Sequence, residues 1–439
     1  MATLSSAPMA RPAVLRFAIL LAGIAAAAPV WATEPGVVEE VLAILHERGL
    51  VDESEYQRLR ARQAAWARNQ TAGPEITWHG DFRARFEQFW FDRDPLGVER
   101  GNRSRARYRL RLGATVDVNP HISATFRLAS GGASRSANQT LGVGDDFDPD
   151  GLYIDRAHLD LAAPESWLTF GGSARLRIGK MGVPFRWKQG PDSMLWDRDL
   201  SPEGVSLAWS SDDLGGVRAY ARAAYLVLDE NSRARDPHVL GLQGGASFEP
   251  GEGWVVGGRM SHYWWRSLDA DFLDRSAASG NLRFGLNDSG EGGNGISATE
   301  LAAYARWSGV AGWPLLLYGH VVRNHDASDS PAHPGASDED LGFGFGAELG
   351  DKRHLAKLHL GYFRLQANAW PSRFVDSPLL AGRSNQQVVV VQALREVLAG
   401  TDLKVSLFFG EPLERGSAFS NSLSDSDRVL LQTDLVVRF

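Results

Sequence analysis

The most chemically assertive residues of this sequence are arginines. Arg103, Arg105, Arg107, Arg109 and Arg111 recur at every second position, with Tyr108, Leu110 and Leu112 at the alternate, opposite positions. At a period of two, all five project from one face of an extended strand. Such a face fits neither a protein core nor lipid, where each guanidinium costs about 2–4 kcal/mol at the bilayer midplane. It calls for a water-filled space, and there it would attract and orient anions rather than make bonds. Arg83, Arg85, Arg127, Arg175 and Arg177 extend the same wall on neighbouring segments. A second constellation lies in the connection Gly182 to Pro202, which carries Trp187, Lys188, Asp192, Trp196, Asp197, Arg198 and Asp199. Folded inward, its carboxylates would face the arginines and set a transverse field and a size cut-off; an ordinary surface loop is the alternative reading.

Bond-making chemistry finds less support. Asp146, Asp148, Asp150 and Gly151 match positions one, three, five and six of a calcium loop, but position twelve is Ala157 rather than a bidentate glutamate. An acidic extracellular loop is the better reading, so no metal or other cofactor is expected. Gly342, Gly344 and Gly346 alternate with Phe343 and Phe345 as in a strand, without the following helix that a dinucleotide site needs. Nucleophile-elbow, zinc-protease and Walker patterns are absent, and with no cysteine thiol chemistry is excluded. The eleven histidines are scattered. An enzyme is not expected, although a Ser-His-Asp set assembled from separate strands would escape a sequence reading.

The elements that must position these residues begin after residue 32. Arg11 and Arg16 precede an apolar run, Phe17 to Ala28, and Val30-Trp31-Ala32 is a small-x-small cleavage pattern, so residues 1–32 read as a signal peptide. No later stretch is long and apolar enough for a transmembrane helix, so any membrane span must be β. Residues 33–70 read as a periplasmic helical segment: Val37, Val38, Val41, Leu42 and Leu45 recur at helical spacing, Gly49 supplies a C-cap, and Asp52 to Glu55 resembles a capping box. Residues 71–439 then change to period two.

Sixteen segments of strand character follow, near 76–90, 103–117, 121–130, 153–162, 174–180, 203–210, 214–228, 238–248, 253–266, 297–308, 313–324, 341–349, 354–366, 386–397, 402–410 and 428–439. The connections alternate short and long, as in outer-membrane barrels with short periplasmic turns and long extracellular loops. Faces alternate too. In the last segment Val429, Leu431, Thr433, Leu435, Val437 and Phe439 oppose Arg428, Gln432, Asp434 and Arg438. Trp78 and Trp90 stand near the two ends of the first span, where aromatic girdles belong. The expected fold is all-β, an antiparallel transmembrane β-barrel of about sixteen strands with a short N-terminal helical segment, in the bacterial outer membrane. A barrel of this size leaves an aqueous channel. The net charge of −7 argues against a nucleic-acid partner.

The stretch Leu176-Arg177-Ile178-Gly179-Lys180-Met181-Gly182-Val183-Pro184-Phe185 with Leu195-Trp196-Asp197-Arg198-Asp199-Leu200-Ser201-Pro202 resembles the putative porin family of Gram-negative outer membranes. Arg107 to Gly113, Phe126 to Gly131, Asn138 to Gly142 and Ile154 to Ala157 are similar to further family elements in the expected order, and Phe439 resembles the terminal aromatic of outer-membrane proteins. The resemblance implies a pore with outer-membrane lipid around it and leaves the solute open; general porins of this size imply a homotrimer. The leading expectation is a porin for passive diffusion of small hydrophilic solutes with mild anion preference. A dedicated transporter of an anionic polysaccharide or oxyanion, and a non-conducting structural or adhesive barrel, are the alternatives.

Overall fold

The structure is a computed structural model and describes residues 36–49, 51–71, 73–92, 101–131, 136–142, 150–168, 171–186, 194–232, 235–268, 281, 296–310, 313–329, 335–415 and 426–439. The signal peptide expected over 1–32 falls outside them. The chain forms two compact units, Met1–Gly73 and Pro74–Phe439.

The first unit is a pair of helices, α1 (Gly36–Glu47) and α2 (Glu53–Thr71). Gly49 adopts φ 67°, the left-handed conformation that ends a helix at low cost for glycine. Asp52 then caps α2 by accepting the Glu55 N–H at 2.8 Å. His46 stacks on Tyr56 at 4.5 Å and joins the two helices.

The second unit is a sheet closed on itself. Its strands are β1 (Glu75–Phe91), β2 (Arg103–Asn119), β3 (Ile122–Ser130), β4 (Gln139–Thr140), β5 (Leu152–Ala162), β6 (Ser173–Lys180), β7 (Glu203–Ser210), β8 (Val217–Val227), β9 (His238–Phe248), β10 (Trp254–Arg266), β11 (Ile296–Val310), β12 (Trp313–Asn324), β13 (Leu341–Leu349), β14 (Lys357–Leu365), β15 (Gln386–Leu398), β16 (Thr401–Pro412) and β17 (Arg428–Arg438). Sixteen of these coincide with the sixteen segments read from the sequence. The two-residue β4 is an addition that borders Arg107 and Tyr108 of β2.

Each strand pairs antiparallel with its neighbours, and β1 pairs with both β2 and β17, which closes the barrel. Closure matters because an unpaired backbone group in hydrocarbon costs several kcal/mol. The seam is extended past β17 by mutual backbone hydrogen bonds between Gly80 and Phe439. A side chain at position 80 would collide with the Phe439 ring, so glycine is required there. The segment expected to start at 214 begins instead at Val217. Gly215 and Gly216 take positive φ, and the Gly216 N–H bonds the Asp213 carboxylate at 2.5 Å, which makes a turn.

The alternation read from the sequence is physical. Trp78, Phe82, Phe86 and Trp90 of β1 are exposed on the outer face, whereas Arg85 and Glu87 are only 8% and 1% exposed. The outer band is apolar and the inner face charged, the order a lipid-embedded barrel needs. Gly342, Gly344 and Gly346 lie in β13, where added side chains would collide with Leu365, Phe363 and Tyr318. They make room for aromatic and aliphatic side chains inside the barrel.

Candidate functional site

The inward faces of β1, β2, β3 and β13 to β17 enclose a cavity of about 1280 Å³. Its lining reaches both ends of β1, from His79 to Phe91, and both ends of β17, from Arg428 to Arg438. It therefore follows the height of the wall, from the short-turn end to the long-loop end. Fifteen arginines and lysines face eight carboxylates along it, so the lumen is positive although the chain is negative overall.

Of the arginines picked out in the sequence, Arg83, Arg85, Arg103, Arg105, Arg107, Arg109, Arg111 and Arg127 line this cavity. Arg175 and Arg177 do not. Arg177 is held by Asp160 at 2.7 and 3.0 Å, and Arg175 stands opposite Ala162 and Ala208. Both lie on β6, beyond β5 in barrel order, and β5 is where the loop after β6 docks.

The carboxylates sit where alternation puts them on the same inner face. Asp434 receives Arg85 in a two-point contact at 2.5 and 2.8 Å, and Asp81 receives Arg109 at 2.9 and 2.5 Å. Asp155 accepts Arg127 at 2.6 Å and lies 3.7 Å from Arg111. Glu87, nearly buried, is shared by Arg105, Arg85 at 3.6 Å and Arg107 at 3.8 Å, and accepts Gln432 at 2.7 Å. Charge-assisted bonds of this kind hold side chains in one orientation, so the wall is preorganised.

The loop after β6 folds into the barrel. Lys188 and Asp192 lie outside the described residues, as do 143–149 of the acidic loop. At its start, the Phe185 carbonyl accepts Arg259 at 2.7 Å and Gln243 at 3.2 Å, and the Pro184 carbonyl accepts Arg222 at 3.1 Å. At its end, Asp199 pairs with Arg111 at 2.6 Å and lies 3.7 Å from Arg109, while Ser201 donates to Asp155 at 2.6 Å. Asp199 thus touches the arginine wall directly and pins the loop to it. Burial alone would raise the Asp199 carboxyl, but Arg111, then Arg109, Arg83 and Arg85, hold it below the ordinary carboxylate value. Asp197 is pushed up by burial and then by Asp199. Asp197, Arg198 and Asp199 line the long cavity, and Asp199 also lines a second cavity of about 990 Å³ toward β5 to β9. The segment carrying them therefore stands between two openings.

Trp196 takes a different role from its neighbours. It is 3% exposed and packs with Tyr263, Trp265, Trp370 and Phe374 at ring separations of 5.1 to 6.0 Å. Trp370 and Phe374 belong to the connection between β14 and β15, which also enters the barrel. The Trp370 indole donates to the Leu195 carbonyl at 2.7 Å, and Asp197 N–H donates to the Phe374 carbonyl at 2.8 Å. The residues missed in the sequence are this second inward loop and the buried network beneath the first. Glu300 there accepts Arg259 at 2.7 Å and Tyr263 at 3.1 Å. Trp370-Pro371 and Phe374 were a usable signal, since large aromatics in a long loop need cover.

A closed antiparallel barrel with an apolar outer band and a charged lumen crossed by an inward loop defines an outer-membrane channel. The family model described as putative porin matches residues 58–272. By this match, over just under half of its length, the chain is similar to the putative porin family. Among solved structures it is similar to OprB of Pseudomonas putida, determined at high pH, with a TM-score of 0.55 and 10% identity over 83% of this chain and 94% of that one. It is also similar to OmpF of Salmonella typhi in complex with daunomycin, at a TM-score of 0.49 and 11% identity over 84% and 98%. At 10% identity the likeness to OprB shows the fold alone. Comparison with curated proteins finds no match.

Proposed function

We propose that this protein is a passive diffusion channel for small hydrophilic solutes that prefers anions. No bond is made or broken; solutes cross down their gradient through the long cavity. The observation that carries the reading is the excess of guanidinium and ammonium groups over carboxylates along a cavity whose lining reaches both ends of β17. In a low-dielectric wall, an uncompensated positive surface raises the local concentration of anions. Asp199 and Asp197 narrow the passage beside that surface, so width and field act at the same level.

Planar-bilayer recording of the refolded protein tests the proposal. Stepwise conductance with a zero-current potential favouring chloride over potassium in a salt gradient is expected. A potential favouring potassium overturns the preference, and a silent bilayer overturns the channel. The homotrimer implied by the family resemblance is part of this proposal; chemical cross-linking that stops at monomer removes it.

A further inference from the structure

The arginine wall sets like charges face to face. In the β1–β2 ladder Arg83 stands opposite Arg109, and Arg85 opposite Arg107. Like charges directly across a sheet repel unless something compensates them. Two of the four are compensated, Arg85 by Asp434 and Arg109 by Asp81. The diagonal pair, Arg83 and Arg107, is served differently. Arg83 has no carboxylate within ion-pair distance among the described residues and donates to the side-chain oxygen of Asn138. Arg107 donates to the Asn138 carbonyl at 3.1 Å and to the Ser136 hydroxyl at 3.2 Å, and its nearest carboxylate, Glu87 at 3.8 Å, is shared with Arg85 and Arg105. Both guanidiniums thus converge on one neutral residue, and each keeps a buried Nε without an acceptor. Both also line the long cavity, so a solute can reach them.

We infer that Arg83 and Arg107 form a binding site for a divalent oxyanion, whose charged oxygens supply the dedicated carboxylate partner that Arg85 has in Asp434 and Arg109 has in Asp81. A planar guanidinium fork suits paired oxygens, and two forks meeting at Asn138 suit an anion with oxygens on two sides. The Asn138 side-chain amide, which reaches Ser136 at 3.0 Å and Asp199 at 3.4 Å, ties this site to the inward loop. The inference rests on the channel reading and deepens it: divalent oxyanions would pause here on the way through, and their flux would saturate. Sulfate, phosphate and short dicarboxylates share the required chemistry.

The test is calorimetric titration of the refolded protein with sulfate, phosphate and succinate separately, alongside single-channel currents in graded potassium sulfate and potassium chloride. Saturable heat with at least one divalent anion and a sulfate current that levels off are expected; the anion bound identifies the solute type. Arg83→Gln with Arg107→Gln relieves repulsion while keeping an amide donor at each position, and should raise the half-saturating concentration about tenfold or more. Arg83→Lys with Arg107→Lys keeps both charges but loses the forks and should also weaken binding. Absence of saturable heat with all three anions, an unchanged Gln variant, or a Lys variant as tight as the native protein overturns the site. Saturable heat without any current would uphold the site and overturn the channel, whereas linear currents without heat would do the reverse.

Discussion

Along β1 and β2 the inner face is arginine, aspartate and glutamate, and the space before it is open. From β8 round to β12 the inner face includes Leu226, Tyr263, Trp265 and Val322, and the space before it is filled by Trp196, Trp370 and Phe374. The two regions share one strand architecture and one alternation, yet one makes a passage and the other a core. The difference lies in what the loops bring. Large aromatics bury 150–250 Å² each, about, and gain further from edge-to-face packing, so the two inward loops collapse on the apolar side. The charged side has no such aromatic filling among the described residues and stays open, its side chains held by their own ion pairs. On the proposed channel reading, the filled region sets the width of the passage beside the charged one.

Breaking the filled region should have the largest effect. Glu300 is 1% exposed and compensates Arg259, which in turn clamps the Phe185 carbonyl of the inward loop. Glu300→Ala takes the carboxylate from a buried guanidinium and should cost about 3–5 kcal/mol. Thermal unfolding followed by circular dichroism would measure it, and a loss under about 1 kcal/mol would show that the network does not hold the loop. Trp370→Ala comes next, at about 3 kcal/mol, because its indole fills the centre of the aromatic cluster and bonds the Leu195 carbonyl. Single-channel conductance should rise as the loops slacken, and an unchanged conductance would separate the filling from the passage width.

The smallest effect is expected from pH. Asp199 has a lowered value, so what its pairing with Arg111 contributes is present above the ordinary carboxylate range and is lost only as pH falls through that lowered value. Asp197 is raised, so its neutral form favours the folded loop below the ordinary range and that contribution fades as pH rises through the raised value. Acidification from about pH 7 to pH 5 should therefore leave the loop attached and the conductance flat. A reversible conductance increase over that interval would mean that Asp199 does not pin the loop.

Much of this was legible in the sequence because barrel strands obey a local rule. Period two assigns Trp78 and Phe82 to lipid and Arg83 and Arg85 to the lumen without knowledge of any distant residue. The inward loop was legible as a place, from its mixture of aromatics and charges. The fate of Trp196 was not, since its partners Tyr263, Trp265 and Trp370 come from three segments far along the chain. Arg175 and Arg177 show the same limit: period two puts them on the inner face but not in the shared cavity.

By itself the sequence determined the sixteen strands, the face each side chain takes and the positive sign of the wall, because these follow from residue type and spacing along one strand. Which charges meet was decided only by the tertiary structure. Arg85 reaches Asp434 because β1 closes on β17, and Arg83 and Arg107 share Asn138 because the connection after β3 turns back across β2. Ion pairing falls steeply with distance, and distance between remote segments is set by register and closure, not by local pattern.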